Sequence, residues 1–230
     1  LSEDRQTIMF SATMPPKIQK LAESILHEPV MVNIAISKPA EGINQGAYVC
    51  YEVQKLPLLF ALVKGNEEKK TIVFSSSKLS VKEIARELRR KKLKVAEIHS
   101  DLEQADRDTA LLNFKNGVST ILVATDIVAR GIDIDDIEVV VNYDVPRDVE
   151  DYIHRIGRTA RANKKGSGIT FISEKDQERF LRIEQFLDKV IEKIPLPEAI
   201  GEGPEYTPAP QRNRKSTQEK KTLEKKTCRK

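Results

Sequence analysis

The chain has 230 residues, 39% of them apolar and 32% charged, with no tryptophan and two cysteines. That length supports one full α/β-sized domain with additional material rather than two complete domains, and the apolar share is enough for one real core. Cys50 and Cys228 lie too far apart for a metal spacing or a disulfide framework, no apolar run approaches 18 residues, and the first ten residues lack the basic and apolar regions of a signal peptide. A reducing, cytoplasmic setting away from membranes is the expectation. The net charge of +4 is unevenly distributed: residues 211–230 carry nine basic and two acidic side chains, a local +7, and the remainder is −3. A basic tail on a near-neutral globule suits a partner made of RNA or DNA, and equally suits a solubilising end.

In chain order, Thr7–Phe10 reads as a strand, Pro15–Ile25 as a helix opened by prolines, and Val30–Ala35 as another strand. Residues 37–46 (SKPAEGINQG) hold two glycines, a proline and few apolar side chains, and read as a linker. Residues 1–36 then form the end of a preceding domain and 47–194 a domain of their own. Short, unbroken apolar runs at 72–74, 95–99, 121–124, 139–141 and 169–172 predict strands buried on both faces, as in a parallel sheet. Helical stretches alternate with them, at 80–91, 104–116, 148–158 and 174–190. In the first, Val81, Ile84, Ala85 and Leu88 share one face; the second ends near Gly117, a good C-terminal stop. The alternation predicts a doubly wound α/β sheet with helices on both faces and ligands at the C-terminal ends of its strands. Residues 195–230 open with a stretch rich in proline and glycine. They are expected to be extended or disordered, with no core of their own.

Two segments carry chemistry. In Tyr152–Arg161 (YIHRIGRTAR) three arginines recur every third residue, so a continuous helix would hold them within an arc of ~120°. Guanidinium forks suit phosphate oxygens, and Gly157 between them permits close approach to the backbone; a solvated basic face is the alternative. Residues 124–133 (ATDIVARGID) follow a buried strand, where Asp133 could accept from a ribose hydroxyl and Thr125 donate to a phosphate. Turn chemistry, with Asp126 as a helix N-cap and Gly131 as a break, is the alternative there. His99 falls at a strand end and reads as structural. The three dispersed histidines suggest no metal site.

Taken together and in order, these segments resemble the C-terminal motifs of superfamily 2 helicases, and specifically the DEAD-box RNA helicase family. Ser11-Ala12-Thr13 resembles the S-A-T motif that closes the first RecA-like domain. Thr71–Lys78 resembles motif IV, His99–Gln104 with Arg107 the H-G-D-x-x-Q-x-x-R stretch, 124–133 motif V, 141–146 the V-I-N-Y-D-x-P segment, and 152–161 motif VI. Ser100 stands where that family usually has glycine, and Ser77 where it often has threonine. The T-A-R ending and the tail look most like the bacterial RhlE-like group.

The resemblance implies a RecA-like domain in a monomeric enzyme that couples ATP hydrolysis to local RNA unwinding or RNP remodelling. It implies RNA contacts at Ser77, Gln104, Arg107 and Thr125, and ATP contacts at Gly131, Asp133, Arg158 and Arg161. The last two arginines act on the γ-phosphate. His154 and Arg155 would hold motif VI against its neighbours, and Ser11 and Thr13 would couple the two domains. No glycine in the chain is followed by lysine and no Asp-Glu-Ala-Asp occurs. The phosphate loop and the residues that hold Mg²⁺ are therefore expected in a preceding RecA-like domain, and the fragment alone is expected to be inactive. Two other readings are a DNA helicase or translocase of the same superfamily and a stand-alone RNA-binding module.

Overall fold

The computed structural model describes residues 5–10, 14, 16–32, 42–126, 137–159 and 166–208. Among these residues seven strands form one sheet in the order β3-β4-β2-β5-β6-β1-β7, and each of their pairings is parallel. In chain order the elements are α1 (Pro16–Ile25), β1 (Ile43–Val49), α2 (Lys55–Val63), β2 (Thr71–Phe74), α3 (Lys78–Arg90), β3 (Val95–Ile98), α4 (Gln104–Lys115), β4 (Ile121–Ala124), β5 (Val139–Asn142), α5 (Val149–Ile156), β6 (Gly166–Ile172), α6 (Gln177–Leu187) and the two-residue β7 (Glu192–Lys193). Among the described residues no helix is long and apolar enough to cross a membrane.

The central strands are buried on both faces because successive side chains feed opposite layers. Val73, Val123 and Val141 pack with α2 and α3 through Leu58, Leu59, Val81, Ile84 and Leu88. Their neighbours Ile72, Leu122 and Val140 pack on the other face against Phe114 of α4. Beside that second layer, Ile43, Ala47 and Ile172 meet Tyr152 and Ile156 of α5 and Phe180 and Ile183 of α6. The doubly wound α/β arrangement read from the alternation is thus the observed one. The predicted face of α3 is buried as expected, and α4 stops where Gly117 takes a φ of +74° that a Cβ would disfavour.

Four local expectations need correction. No strand forms at 7–10, where no neighbouring strand among the described residues offers a ladder and Phe10 is 90% exposed. Residues 30–32 are likewise irregular. Residues 43–46, read as linker, are the first half of β1, paired in register with Gly166–Ile169 of β6. A Cβ on Gly46 would come within 2.6 Å of Ile194 Cδ1, so this glycine serves close packing rather than a turn. Helix α2 has no counterpart among the elements expected from the sequence.

The largest difference is at the C-terminal side. Residues 195–208 are extended but not free of the core. Leu196 and Ile200 pack on the first core layer, and Gln54 Nε2 donates to the carbonyls of Ile200 (3.2 Å) and Glu202 (3.0 Å). The Gln177 amide bridges the strap by donating to Glu205 O (2.7 Å) and accepting from Thr207 N (2.8 Å). Tyr206 lies edge-on to Phe180 and donates its hydroxyl to Glu184 Oε2 at 2.7 Å. Apart from one 3-10 turn at Glu198–Ile200 the stretch has no regular structure, and side-chain amides of the domain replace the missing backbone partners. The basic segment from 209 lies outside the described residues, as do 33–41 of the expected strand and linker.

Candidate nucleic-acid and nucleotide site

Three adjacent parallel strands, β3, β4 and β2, end on one edge of the sheet. The chain leaving each end carries one or more of the expected RNA-contact groups. After β2, exposed Ser77 caps α3 by accepting from Ser80 N at 3.1 Å. After β3 come Gln104, which opens α4 and donates to Asp108 Oδ1 at 2.9 Å, and half-buried Arg107, whose Nη2 donates to Ser100 O at 3.2 Å. Among the described residues the Nε of Arg107 is buried without a partner. After β4, half-buried Thr125 donates its N–H to Ile98 O at 3.3 Å. With strands ~4.8 Å apart, these exits fall within about 10 Å across the sheet.

Behind this edge lies a buried polar network. Arg155, 3% exposed, projects from the last turn of α5. Its Nε and Nη2 grip both oxygens of Asp126 (2.5 and 2.7 Å), and its Nη1 donates to Asn142 Oδ1 (3.2 Å) and Asp144 O (2.8 Å). The guanidinium also lies 5.2 Å from the centroid of Phe74. One side chain thus ties the ends of β2, β4 and β5 to α5. Asp144 extends the network: its carboxylate accepts from Ser75 Oγ and Ser76 N (both 2.8 Å) and from Lys55 Nζ (2.9 Å). Lys55 is fully buried and also pairs with Glu52 at 3.0 Å. Burial opposes the charge on both Asp144 and Lys55. Their mutual attraction, with the bonds from Ser76 and Ser75, outweighs it, so Asp144 is held below the usual carboxylate range and Lys55 above the usual lysine value.

Arg158 belongs to a different edge. Helix α5 ends at Ile156, and the next residues close in short turns, with Arg158 N on Arg155 O (3.1 Å) and Thr159 N on Ile156 O (3.1 Å). Thr159 then bridges Ile137, just before β5, and its hydroxyl donates to Ile137 O at 2.6 Å. Arg155 and Arg158 therefore do not share one helical face, which corrects the arc expected from their spacing. Nor, among the described residues, does another element approach Gly157: a Cβ there would meet only carbonyls of its own preceding turn. His154 is half-buried in the last turn of α5. His99 is buried, which lowers its pKa, and its Nδ1 accepts from Asp101 N at 3.2 Å, as fits a structural residue. Ser11, Thr13, Gly131, Asp133 and Arg161 lie outside the described residues. Asp144, Lys55 and Ser75 carry no distinct signal as site residues in the sequence. Asp144 stands in a recognisable segment, but its partners are 69 and 89 residues away.

A doubly wound parallel sheet with hydroxyl, amide and guanidinium groups along one edge and an arginine packed behind it has the layout expected of a RecA-like helicase domain. The profile for the helicase conserved C-terminal domain matches residues 54–163. The human "Probable ATP-dependent RNA helicase DDX23" is 41% identical over 182 residues, 79% of this chain and 22% of that protein. Among solved structures, S. cerevisiae Dbp5 bound to RNA and ADP BeF3 is similar at a TM-score of 0.75 and 29% identity, over 85% of this chain and 52% of that one. The C-terminal domain of the DEAD-box protein Dbp5 is 32% identical, over 67% of this chain and 91% of that one, at a TM-score of 0.63. This chain belongs to the DEAD-box helicase family, of which it carries the C-terminal RecA-like domain. It spans about a fifth of the length of the human relative. Similarity at this level to a human protein selects no bacterial subgroup.

Proposed function

We propose that this chain is the C-terminal lobe of an ATP-dependent RNA helicase that couples ATP binding and hydrolysis to local unwinding of RNA or remodelling of RNPs. The observation that carries the reading is the convergence of Ser77, Gln104, Arg107 and Thr125 on the ends of three neighbouring strands. Small hydroxyls, an amide and a guanidinium in a row suit the oxygens of a sugar–phosphate backbone, and recognition through that backbone is sequence-independent and salt-sensitive. Contacts to 2′-hydroxyls distinguish RNA from DNA. The relative named as an RNA helicase and the neighbour bound to RNA support RNA as the ligand.

ATP lies between this lobe and a preceding RecA-like domain, with Gly131 and Asp133 on its ribose side and Arg158 and Arg161 reaching its γ-phosphate. Ser11 and Thr13 join the two domains. Arg155, three residues before Arg158 and bonded to the neighbour of Thr125, links the nucleotide side of the lobe to its RNA edge. Among the described residues no cluster of His, Cys, Asp or Glu could hold a metal ion. Mg²⁺ would be held by the preceding domain, where it would neutralise charge on the ATP phosphates.

Charge builds on the transferring phosphoryl oxygens in the transition state, and a planar fork aimed there stabilises that state more than it stabilises bound ATP. In the full-length protein, Arg158→Ala or Arg161→Ala is expected to lower kcat about 10³- to 10⁵-fold with less effect on ATP affinity. Lysine is expected to rescue poorly. Steady-state ATPase with saturating RNA tests this, and near-normal kcat in both variants rejects the assignment. Single-stranded DNA in place of RNA tests the DNA-translocase alternative.

A further inference from the structure

Two lysines and one aspartate at the RNA edge have no part in the function proposed so far. Lys78 and Lys82 stand one turn apart on α3, and both reach Asp101 in the loop after β3. Lys78 Nζ lies 2.7 Å from Oδ1 and Lys82 Nζ 2.7 Å from Oδ2. All three side chains are exposed, at 49%, 45% and 36%. Ser77 directly precedes Lys78, and Arg107 is bonded to the carbonyl of Ser100, next to Asp101. The triad therefore sits beside two of the four groups proposed to contact RNA. Nearby acids are Glu103, Asp106 and Asp108, the last bonded to Gln104. Bonds from the two ammonium groups hold the Asp101 carboxyl at about 2, so it is a fixed charge at neutral pH.

A single carboxylate shared by two ammonium groups leaves an excess of one positive charge facing solvent. Exposed ion pairs of this type contribute little to stability, so folding alone gives little reason for the cluster. A phosphate diester, by contrast, offers oxygens that compete with the carboxylate for both ammonium groups. We infer that Lys78 and Lys82 are RNA-phosphate contacts and that Asp101 is a positioning residue that holds them at the edge and yields them to the incoming backbone. The carboxylate thereby limits the grip, because binding must break two ion pairs and places Asp101 beside a like charge. This inference rests on the reading of that edge as the RNA surface.

The test uses the full-length protein and a labelled oligouridylate, titrated over a salt series alongside thermal melts. Lys78→Gln/Lys82→Gln is expected to weaken binding several-fold and to flatten the log K against log salt slope by about 1.4, at ~0.7 for each phosphate no longer neutralised on a single strand. Asp101→Asn is expected to do the opposite, tightening binding about 3- to 10-fold at low salt without flattening the slope. A triad that only braces the β3–α4 loop predicts a small fall in melting temperature in both variants and unchanged RNA binding, which overturns the inference. So does an unchanged slope in the double-lysine variant, or weaker binding in Asp101→Asn. Failure of the unsubstituted protein to bind the oligonucleotide rejects the RNA-edge reading itself. Binding that ignores all three substitutions rejects the inference alone.

Discussion

Loss of the Arg155 guanidinium would strand Asp126, Asn142 Oδ1 and Asp144 O without their donor at the ends of two strands. Breaking a fully buried pair from one side costs about 3–5 kcal/mol, and with Asp126 27% exposed that range is an upper bound here. Arg155→Ala should lower the unfolding free energy of the chain by that order, and Arg155→Lys should recover little, because one ammonium group cannot span Asp126 and Asp144. Denaturant unfolding measures it, and a loss under ~1 kcal/mol contradicts the clamp. Asp144 makes a second prediction, in pH. Its folded pKa is lowered, so its contribution is present above the unfolded value near ~3.9 and is lost as pH falls through the lower folded value. Melting temperature should therefore drop below about pH 4, and Asp144→Asn should be less stable at pH 7 with a flatter acid limb. An acid limb identical to the parent's counts against it. The role of Arg155 as a brace was legible from its place in an arginine-rich segment beside a known motif pattern. Lys55 was not, because a lysine at a helix start reads as a solvated charge until Asp144 is brought to it from 89 residues away.

At the scale of elements, amphipathic spacing identified α3 and α4, and unbroken apolar runs identified β2, β4 and β5, because burial imposes those periods locally. The failures share a cause. Ile43–Gly46 has the composition of a loop and becomes a strand because β6 supplies a full ladder and Ile194 packs on Gly46. Helix α5 stops one residue before Gly157, so a spacing that would align three arginines on a longer helix separates Arg155 from Arg158. The strap at 195–208 has no core of its own and borrows one, with Tyr206 on Phe180 and the Gln54 and Gln177 amides serving its backbone. Truncation after Ile194 should therefore destabilise the domain by about 2–4 kcal/mol relative to truncation after Pro208, from exposed apolar area and broken hydrogen bonds. Thermal melts of the two truncated proteins make the comparison, and equal stabilities would show that the strap only rests on the surface. Tyr206→Phe isolates the hydroxyl bond to Glu184, with an expected loss of about 1–2 kcal/mol.

For the whole molecule, the basic segment follows directly on the strap and carries +7 over residues 211–230. Its charge should add RNA affinity without base preference, so removing 209–230 should weaken binding at low salt and flatten the salt dependence by ~0.7 for each phosphate that the segment neutralises. Equal slopes with and without the segment reject the contribution, and a preference among homopolymers would show a base reader instead. The 230 residues by themselves determined the fold class and the helicase family, and they nominated the polar side chains at the strand ends. Strand and helix periods, strand-end motifs and their order are properties of short stretches that survive without the rest of the molecule. Only the tertiary structure decided which of those side chains share an edge, where Arg158 sits relative to Arg155, and which buried charges hold the edge in place. It also decided that a loop-like run joins the sheet and that a proline-rich strap docks on it. Each of these depends on partners dozens of residues distant, and parallel pairing brings such partners together only when the whole sheet closes.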